Sequence, residues 1–309
     1  RLEASTLTMR AGRIRRVEPF YVLPPQTTVP PLPAPSRPNP LLAAAGDVAC
    51  YPGEPRTPER CHHEDTSDQL VNSSPDVVAL LGDAQYDRGT LEEFAEYDRT
   101  WGRVKDRTRP AIGNHEYLTD NAAPYFTYFG QAAGAPDRAY YSYDLGTWHV
   151  VVLNSNCAFV SCLDVSSQVR WLRADLAAHP RQCTLAYWHH PRHSSAQRLG
   201  HYAAVRPLWR AAAEGGVDVV LAGHVHNYER LAPLDADGRI DPENGIRSFV
   251  VGTGGRNYQR MSNLKPFSES ANADTFGVLF MSLRPDGYGW LFGPEPGDDF
   301  TDSGTGSCH

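Results

Sequence analysis

Seven short apolar runs, separated by stretches of helical periodicity, constrain the fold of this 309-residue chain more than any other feature. Short apolar runs bounded by turn residues are typical of buried β-strands. They lie at residues 41–46, 76–82, 109–113, 149–154, 184–189, 218–223 and 249–255. Helical patterns lie between several of them, at residues 66–72, 90–101, 166–178 and 202–214. Strands that alternate with helices in this way predict a layered α/β fold.

Two segments depart from this alternation. Residues 140–154 read as an antiparallel hairpin that turns at Leu145 and Gly146. Strands near residues 247–252 and 276–283 have little helix between them. We therefore expect a mixed sheet or two packed sheets, and the strands of the last third support the presence of a second sheet.

The first forty residues differ in composition from the rest of the chain. Residues 19–40 are so rich in proline that regular helix is excluded, because proline lacks an amide hydrogen and fixes φ. We expect residues 1–40 to form an extended arm or linker and residues 41–309 to form the folded domain. The chain starts at Arg1 without Met or a signal sequence, which indicates processing or trimming.

The charge balance excludes some classes of partner. The net charge is −7 and the isoelectric point is about 5.9. Stable binding of nucleic acid or of an anionic membrane needs a basic field, so neither is expected, although a small anion can still bind locally. No apolar run approaches the roughly 18–20 residues that span a bilayer, so we expect no membrane span.

Six cysteines bear on the cellular compartment. They form an even set without metal-ligand spacing, which favours disulfides and an oxidising, secreted or extracytoplasmic location. The alternative is six independent thiols in a cytosolic protein. Six cysteines permit fifteen connectivities, among which the sequence does not choose. The pairing that we expect is Cys50 with Cys61, Cys157 with Cys162 and, as the remaining pair, Cys183 with Cys308.

Polar residues able to bind a metal follow five successive predicted strands. They are Asp47, then Asp83 and Tyr86, then Asn114 and His115, then His189 and His190, and finally His224 and His226. Because the carboxyl ends of strands in open α/β sheets meet in a crevice, these side chains should converge. Their oxygen and nitrogen donors are too many for one ion and suit two ions that share a carboxylate. Two such ions clamp both oxygens of an in-line displacement at phosphorus.

The segments GDVA, GDAQY, GNHE, WHHP and GHVH, in this order over residues 46–226, resemble the motif blocks of calcineurin-like metallophosphoesterases. They are most similar to the purple acid phosphatase branch, whose second block is GDxxY, here ending in Tyr86. HNYER at residues 226–230 and VVGTGG at residues 250–255 also resemble that branch, so the match covers about residues 41–292. The resemblance implies a four-layer α/β/β/α sandwich of two mixed sheets flanked by helices, and a catalytic domain over residues 41–309.

The resemblance also implies a role for each motif residue. Asp47, Tyr86 and His226 would hold a ferric ion, Asp83 would bridge two metals, and Asn114, His189 and His224 would hold a divalent ion of Zn, Fe or Mn. His115 would act beside the leaving group as general acid or phosphate anchor. Hard anionic donors suit a trivalent ion, whereas an amide oxygen and imidazoles suit a divalent one.

The sequence departs from the family at the fourth block, where His189 is followed by His190 and where His193 occupies the family's tyrosine position. We take His189 as the ligand, and a slip by one residue is the alternative. His193 and His201 are candidate substrate contacts. His62 and His63 lie in a loop without strand context, so we expect them to be solvated.

The function predicted from these residues is that of a secreted dinuclear acid phosphatase. It would hydrolyse small phosphomonoesters by attack of a metal-bound hydroxide. One alternative is a phosphodiesterase that acts on nucleotides or lipid head groups. Another is a non-catalytic, metal-stabilised extracellular binding module with the proline-rich segment as its tether.

Overall fold

A computed structural model describes residues 29–196, 201–261 and 263–309 of the chain. The part of the proline-rich arm before residue 29 lies outside these ranges. The strands are β1 (Leu41–Ala45), β2 (Val77–Leu81), β3 (Thr108–Ala111), β4 (Tyr141–Leu145), β5 (Trp148–Val152), β6 (Thr184–Tyr187), β7 (Val219–Ala222), β8 (Tyr228–Leu231), β9 (Arg247–Val251), β10 (Ser268–Asn272), β11 (Gly277–Arg284), β12 (Gly287–Pro294) and β13 (Asp302–Ser307). The α-helices are α1 (His63–Ser73), α2 (Leu91–Arg99), α3 (Ala123–Phe129), α4 (Ser167–Ala178) and α5 (Arg206–Glu214).

The strands form two mixed sheets. The first has the order β13-β12-β11-β1-β2-β3, with β1, β2 and β3 parallel and β11 antiparallel to β1. The second has the order β10-β8-β9-β7-β6-β5-β4, with β5, β6, β7 and β9 parallel. The predicted hairpin is confirmed as the antiparallel pair β4 and β5. Two sheets are present as expected, and the strands of the last third divide between them, because β9 pairs with β7 and β11 pairs with β1.

The second sheet lies between the first sheet and two helices, because its side chains alternate between the two faces. In β6, Leu185 and Tyr187 belong to the core that the two sheets share. Ala186 between them packs with Leu172 of α4 and Trp209 of α5. Successive strand residues point to opposite faces, so this pattern covers both faces of the sheet. Leu70 of α1 and Phe94 of α2 belong to the core that includes the first sheet, so helices flank both sheets and the predicted α/β/β/α fold class is confirmed.

Local capping explains where two helices begin. Thr90 caps α2 through a capping box with Glu93, and the Ser166 hydroxyl accepts a hydrogen bond from the Val169 amide at the start of α4. The helix predicted from residue 66 begins three residues earlier, at His63. Its two histidines are buried and not solvated as expected. His62 contacts Glu295 and the Thr57 carbonyl, and His63 contacts Glu96.

The described part of the proline-rich arm, residues 29–40, lies along the body of the fold without regular secondary structure. Arg109 donates a hydrogen bond to the Pro30 carbonyl, and Ser36 donates two to Asp76. The arm is thus attached to both β3 and the start of β2. The division of the chain at residue 40 stays a prediction.

Three disulfides join Cys50 to Cys61, Cys157 to Cys162 and Cys183 to Cys308. This is the expected pairing, and it is therefore confirmed. The third disulfide links the residue before β6 in one sheet to the residue after β13 in the other. Within the described ranges, no helix is both long enough and apolar enough to cross a bilayer.

His149 of β5 is a buried histidine whose two ring nitrogens each lie close to a carboxylate. Nδ1 of His149 lies 2.9 Å from Asp144, and its Nε2 lies 2.9 Å from Asp175. Burial opposes protonation of the ring, but the hydrogen bonds to Asp175 and Asp144 outweigh it and raise the pKa of His149. The ring also stacks on His179, and Arg181 pairs with Asp144. Both ring nitrogens face carboxylates, which favours the imidazolium form of His149.

This pairing predicts a pH-dependent stability. Because the pKa of His149 is higher in the folded than in the unfolded protein, protonation of this ring stabilises the fold. The contribution is complete below the unfolded pKa of about 6.5 and is lost as the pH rises through the folded pKa. We expect His149→Gln to lower the free energy of unfolding by about 2–4 kcal/mol at pH 5.5 and by clearly less at pH 9. Urea unfolding at both pH values measures this difference. An equal loss at both would contradict it, and His201→Gln, at an exposed ring that contacts Arg192 and no carboxylate in the described parts of the chain, serves as control.

Candidate metal centre

The loops after β1, β2, β3, β6 and β7 carry all the predicted ligands and meet at the carboxyl ends of both sheets. Three of the residues have a left-handed backbone, with φ of 61° at Asp47, 48° at Asp83 and 68° at His224. Non-glycine residues rarely adopt this conformation, and it concentrates at functional sites. Each follows a glycine directly, so the sharp turn comes at the end of its strand.

Two glycines allow these loops to approach each other closely. A Cβ atom on Gly113 would lie 2.1 Å from Oδ1 of Asp83, and one on Gly82 would lie 2.5 Å from Nδ1 of His189. Any larger residue would displace a predicted ligand. No role was predicted for these glycines, although a glycine directly before Asp47, Asp83, Asn114 and His224 was a visible signal in the sequence.

A first group of donors surrounds the hydroxyl of Tyr86. Its Oη lies 2.8 Å from Oδ1 of Asp47, 2.9 Å from Oδ2 of Asp83 and 3.1 Å from Nε2 of His226. Nε2 of His226 lies 3.2 Å from Oδ1 of Asp47. Four side chains from the loops after β1, β2 and β7 thus converge on one point.

A second group surrounds Nε2 of His189. This atom lies 3.1 Å from Oδ1 of Asn114, 3.2 Å from Nδ1 of His224 and 3.3 Å from Oδ2 of Asp83. Oδ2 of Asp83 therefore belongs to both groups, which is the position of a bridging carboxylate.

Hydrogen bonds behind the site orient these donors. Nδ1 of His189 donates to the Leu81 carbonyl at 2.8 Å, and Nδ1 of His226 donates to the Asn257 carbonyl at 3.0 Å. A carbonyl can only accept, so in the neutral rings both Nε2 atoms turn lone pairs into the site. Such outer contacts are the usual way in which proteins fix a metal-binding histidine.

Backbone amides likewise orient the carboxylates of Asp47 and Asp83 through hydrogen bonds. The His224 amide donates to Oδ2 of Asp47 at 2.7 Å, and the His115 amide donates to Oδ1 of Asp83 at 2.9 Å. One oxygen of each carboxylate is thereby anchored, and the other faces the donor groups described above.

The donor set fits a pair of metal ions. Ligands about 2.0–2.2 Å from an ion, at right angles to one another, lie about 3 Å apart, which is the spacing observed in both groups. Asp47 and Asp83 are buried, and among the described residues their ion-pair partners are histidines. Lone pairs crowded at this distance repel each other unless positive charge lies between them.

The pKa values of the oxygen donors reflect this crowding. Burial opposes ionisation of Asp47, but the neighbouring His226 outweighs it and keeps the pKa of this carboxyl below its usual range. His189 has the same effect on the pKa of Asp83. Burial, together with the two carboxylates, raises the pKa of Tyr86 far above 10. Tyr86 is thus a neutral phenol unless a cation takes the place of its proton.

The pKa values of two of the imidazoles move in opposite directions. Burial opposes protonation of His189, yet the Asp83 carboxylate outweighs it and raises its pKa to about 9. Burial and the nearby His189 lower the pKa of His224 to about 4. Because ligands must be deprotonated to bind a metal, binding of ions here would release protons from Tyr86 and His189.

His115 lies at the open side of the site, with its side chain 26% exposed. Its Nδ1 donates to the Asp87 carbonyl, so Nε2 faces inward, 3.9 Å from Oδ2 of Asp83. The ring packs against Tyr86 at a centroid distance of 4.2 Å. The ring therefore lies beside both donor groups, and its role at the leaving group stays a prediction.

His190 is the alternative ligand at the fourth block. Its Nδ1 lies 2.8 Å from the Ser155 hydroxyl, and its ring stacks on Tyr202. His190 lies near His189 and His224, but it is His189 that reaches Asn114 and Asp83. The geometry favours the register predicted from the sequence.

The two candidate substrate contacts lie apart from the donor groups. His193 is buried against Trp209 and Phe267, and burial lowers its pKa to about 3. His201 is exposed and contacts Arg192. Neither ring hydrogen-bonds to a predicted ligand in the described parts of the chain, and their role in substrate binding stays a prediction.

Glu116 is a supporting residue that the sequence analysis missed. It is buried and accepts hydrogen bonds from the backbone amides of Gly113, Ala84 and Asp83. Burial and the Asp83 carboxylate raise the pKa of Glu116 to about 8. Its carboxyl group ties the loop after β2 to the loop after β3. The glutamate in GNHE was its signal in the sequence.

A family model described as calcineurin-like phosphoesterase matches residues 42–228. Among curated proteins, purple acid phosphatase 15 of Arabidopsis thaliana is 28% identical over 64% of this chain and 43% of its own length. A phosphoenolpyruvate phosphatase of Allium cepa is 30% identical over 71% of this chain and 52% of its own length. The chain spans about half the length of the curated relatives it matches.

Solved structures with the same fold are more distant in sequence. A purple acid phosphatase from yellow lupin seeds matches with a TM-score of 0.74 at 18% identity, over 89% of this chain and 55% of the lupin chain. GAP50, described as the anchor in the inner membrane complex of Plasmodium, matches with a TM-score of 0.64 at 11% identity, over 87% of this chain and 90% of its own. At such identities these matches show the fold alone.

Proposed function

Since the chain belongs to the calcineurin-like phosphoesterase family, we propose that it is a dinuclear metal-dependent acid phosphatase that hydrolyses phosphomonoesters. The observation that carries the proposal is the shared position of Asp83. Its Oδ2 lies within 3.3 Å of both Tyr86 and His189, the centres of the two donor groups. Seven ligands in two groups with a common carboxylate are what a pair of cations about 3.5–4 Å apart requires.

The chemistry of the donors supports a different ion in each group. Asp47, Tyr86 and His226, with Asp83, offer three anionic oxygens and suit Fe(III). Asn114, His189 and His224 are neutral donors and suit a divalent ion such as Zn, Fe or Mn. When bound, two such cations would polarise a phosphoryl oxygen and lower the pKa of a water molecule.

The residues of the chain then position the reactants. Asp83 and the backbone amides that hold it would fix the two groups relative to each other before substrate arrives, which removes the cost of reorganisation. His115 would present Nε2 to the ester oxygen of the departing alcohol. With Nδ1 donating to the Asp87 carbonyl, the ring can deliver a proton through Nε2 when it is doubly protonated.

A secreted location is part of the proposal. Three disulfides, which persist in oxidising compartments, support it. The proposed substrate is a small phosphorylated molecule, and the net charge of −7 argues against nucleic acid as a stable partner.

The function is tested by the turnover of p-nitrophenyl phosphate and bis(p-nitrophenyl) phosphate by the metal-loaded protein. We expect the monoester to be the better substrate, and His115→Ala to lower its kcat/KM by about 10²–10⁴-fold. Preference for the diester would change the assignment to a phosphodiesterase. Absence of turnover in the loaded protein would point to a binding module. Unchanged turnover after His115→Ala would refute the role of this residue.

A further inference from the structure

A loop cross-linked by a disulfide borders the candidate site. Residues 155–166, here called the rim loop, follow β5 and end at Ser166, the N-cap of α4. The Cys157–Cys162 disulfide closes a short ring inside the loop. Only the disulfide was predicted for this segment, without a function.

Hydrogen bonds fasten the rim loop and the residue before it to the motif loops. The Asn156 side chain donates to the Ile112 carbonyl at 3.1 Å, and Asn154 donates to the Tyr117 hydroxyl at 2.8 Å. Ser155 contacts His190, as described above. Ile112 and Tyr117 flank Asn114 and His115, so the rim loop is anchored beside the predicted leaving-group position.

The rim loop exposes three large apolar side chains. Phe159 is 62% exposed, Leu163 is 68% exposed and Val165 is 71% exposed. Single exposed apolar residues are ordinary, but three within seven positions of a cross-linked loop form a patch. Phe159 stacks on Tyr117 with a centroid distance of 4.2 Å and an interplanar angle of 10°. The pair therefore presents a fixed aromatic surface.

We propose that Tyr117 and Phe159 form a platform that binds the apolar or aromatic alcohol part of a phosphomonoester. This inference rests on the proposed function and specifies its substrate class. Tyr117 follows His115 by two residues in the short 3₁₀ turn Glu116–Leu118, so the platform begins next to the residue that we propose assists the leaving alcohol. Stacking on a rigid aromatic pair favours planar, apolar alcohols over polyols.

Space for a larger organic group adjoins the platform. A cavity of about 660 Å³ lies beside Phe159 and is lined by Val165, Tyr140 and Trp171, with Arg138 and Arg170 among its polar residues. Its apolar residues continue the surface of the rim loop, and none of the predicted ligands lines it. An aryl phosphate ester would thus meet a polar site at its phosphate and an apolar surface at its ring.

The test compares two esters in the metal-loaded protein, 2-naphthyl phosphate and glycerol 2-phosphate. We expect Phe159→Ala to lower kcat/KM for the naphthyl ester by about threefold to tenfold, mainly through KM, and to change the glycerol ester less than twofold. Cys157→Ser combined with Cys162→Ser frees the rim loop and should shift the ratio in the same direction. Leu291→Ala, at an exposed apolar residue of β12, is the matched control and should change neither value.

The outcomes separate this inference from the function on which it rests. If the native protein hydrolyses both esters and Phe159→Ala leaves their ratio unchanged, the platform is refuted and the phosphatase stands. An equal loss for both esters also refutes the platform, because it indicates a structural effect. If the native protein hydrolyses neither ester, the proposed function fails and the platform falls with it.

Discussion

Asp83→Asn is expected to remove both metal ions and to lower kcat/KM for a phosphomonoester by at least about 10³-fold. Oδ2 of Asp83 is the atom common to the two donor groups, and its Oδ1 accepts the amide hydrogen of His115. Asparagine keeps the size of the side chain but replaces an anionic oxygen with a neutral amide. The change therefore weakens both sites at once. Elemental analysis of the purified variant measures the loss.

Tyr86→Phe is the matched comparison, because it removes a donor from one group only. The variant should bind the ferric ion more weakly than the native protein does, while His189, His224 and Asn114 keep the divalent ion. If Tyr86 ligates Fe(III) as proposed, the native protein absorbs visible light and the variant does not. Retention of two ions by Asp83→Asn would contradict the bridging role. A colourless native protein that holds only zinc would contradict the ferric assignment and leave hydrolysis possible.

Removal of the Cys183–Cys308 disulfide is expected to lower the free energy of unfolding by about 3–5 kcal/mol. The cysteines are 125 residues apart, and closing so long a loop costs about 5 kcal/mol of chain entropy in the unfolded state. Cys183 is buried at the start of β6, and Cys308 follows the edge strand β13. The double variant Cys183→Ser with Cys308→Ser, unfolded in guanidinium chloride without reductant, measures the effect.

The Cys157–Cys162 disulfide provides the comparison for this prediction. Its cysteines are only 5 residues apart, so the same entropy relation gives about 2 kcal/mol. Serine at both positions should therefore cost less stability than serine at residues 183 and 308. A larger loss from opening the short ring would show that loop length does not govern the stability of this protein.

The fold class and the predicted ligands could be read from the sequence because both depend on local patterns. Apolar runs mark strands, and the polar residues after them fall at one edge when neighbouring strands are parallel. Asp47, Asp83 and Asn114 converge for this reason, since β1, β2 and β3 lie side by side.

Strand partners and burial could not be read in the same way. The patterns of β9 and β11 are both those of buried strands, and nothing local shows that they join different sheets. His62 looked like a loop residue because its partner Glu295 is distant in sequence. The platform of Tyr117 and Phe159 likewise arises from a contact between two loops that neither loop predicts alone.

The loops that carry the ligands come from both sheets. Asp47, Asp83 and Asn114 follow strands of the first sheet, whereas His189 and His224 follow strands of the second. Ions bound between these loops would therefore also cross-link the two sheets. A chain whose sheets have not yet packed together offers only part of each site. Tight retention of both ions would thus be a mark of correct folding as well as a condition for catalysis.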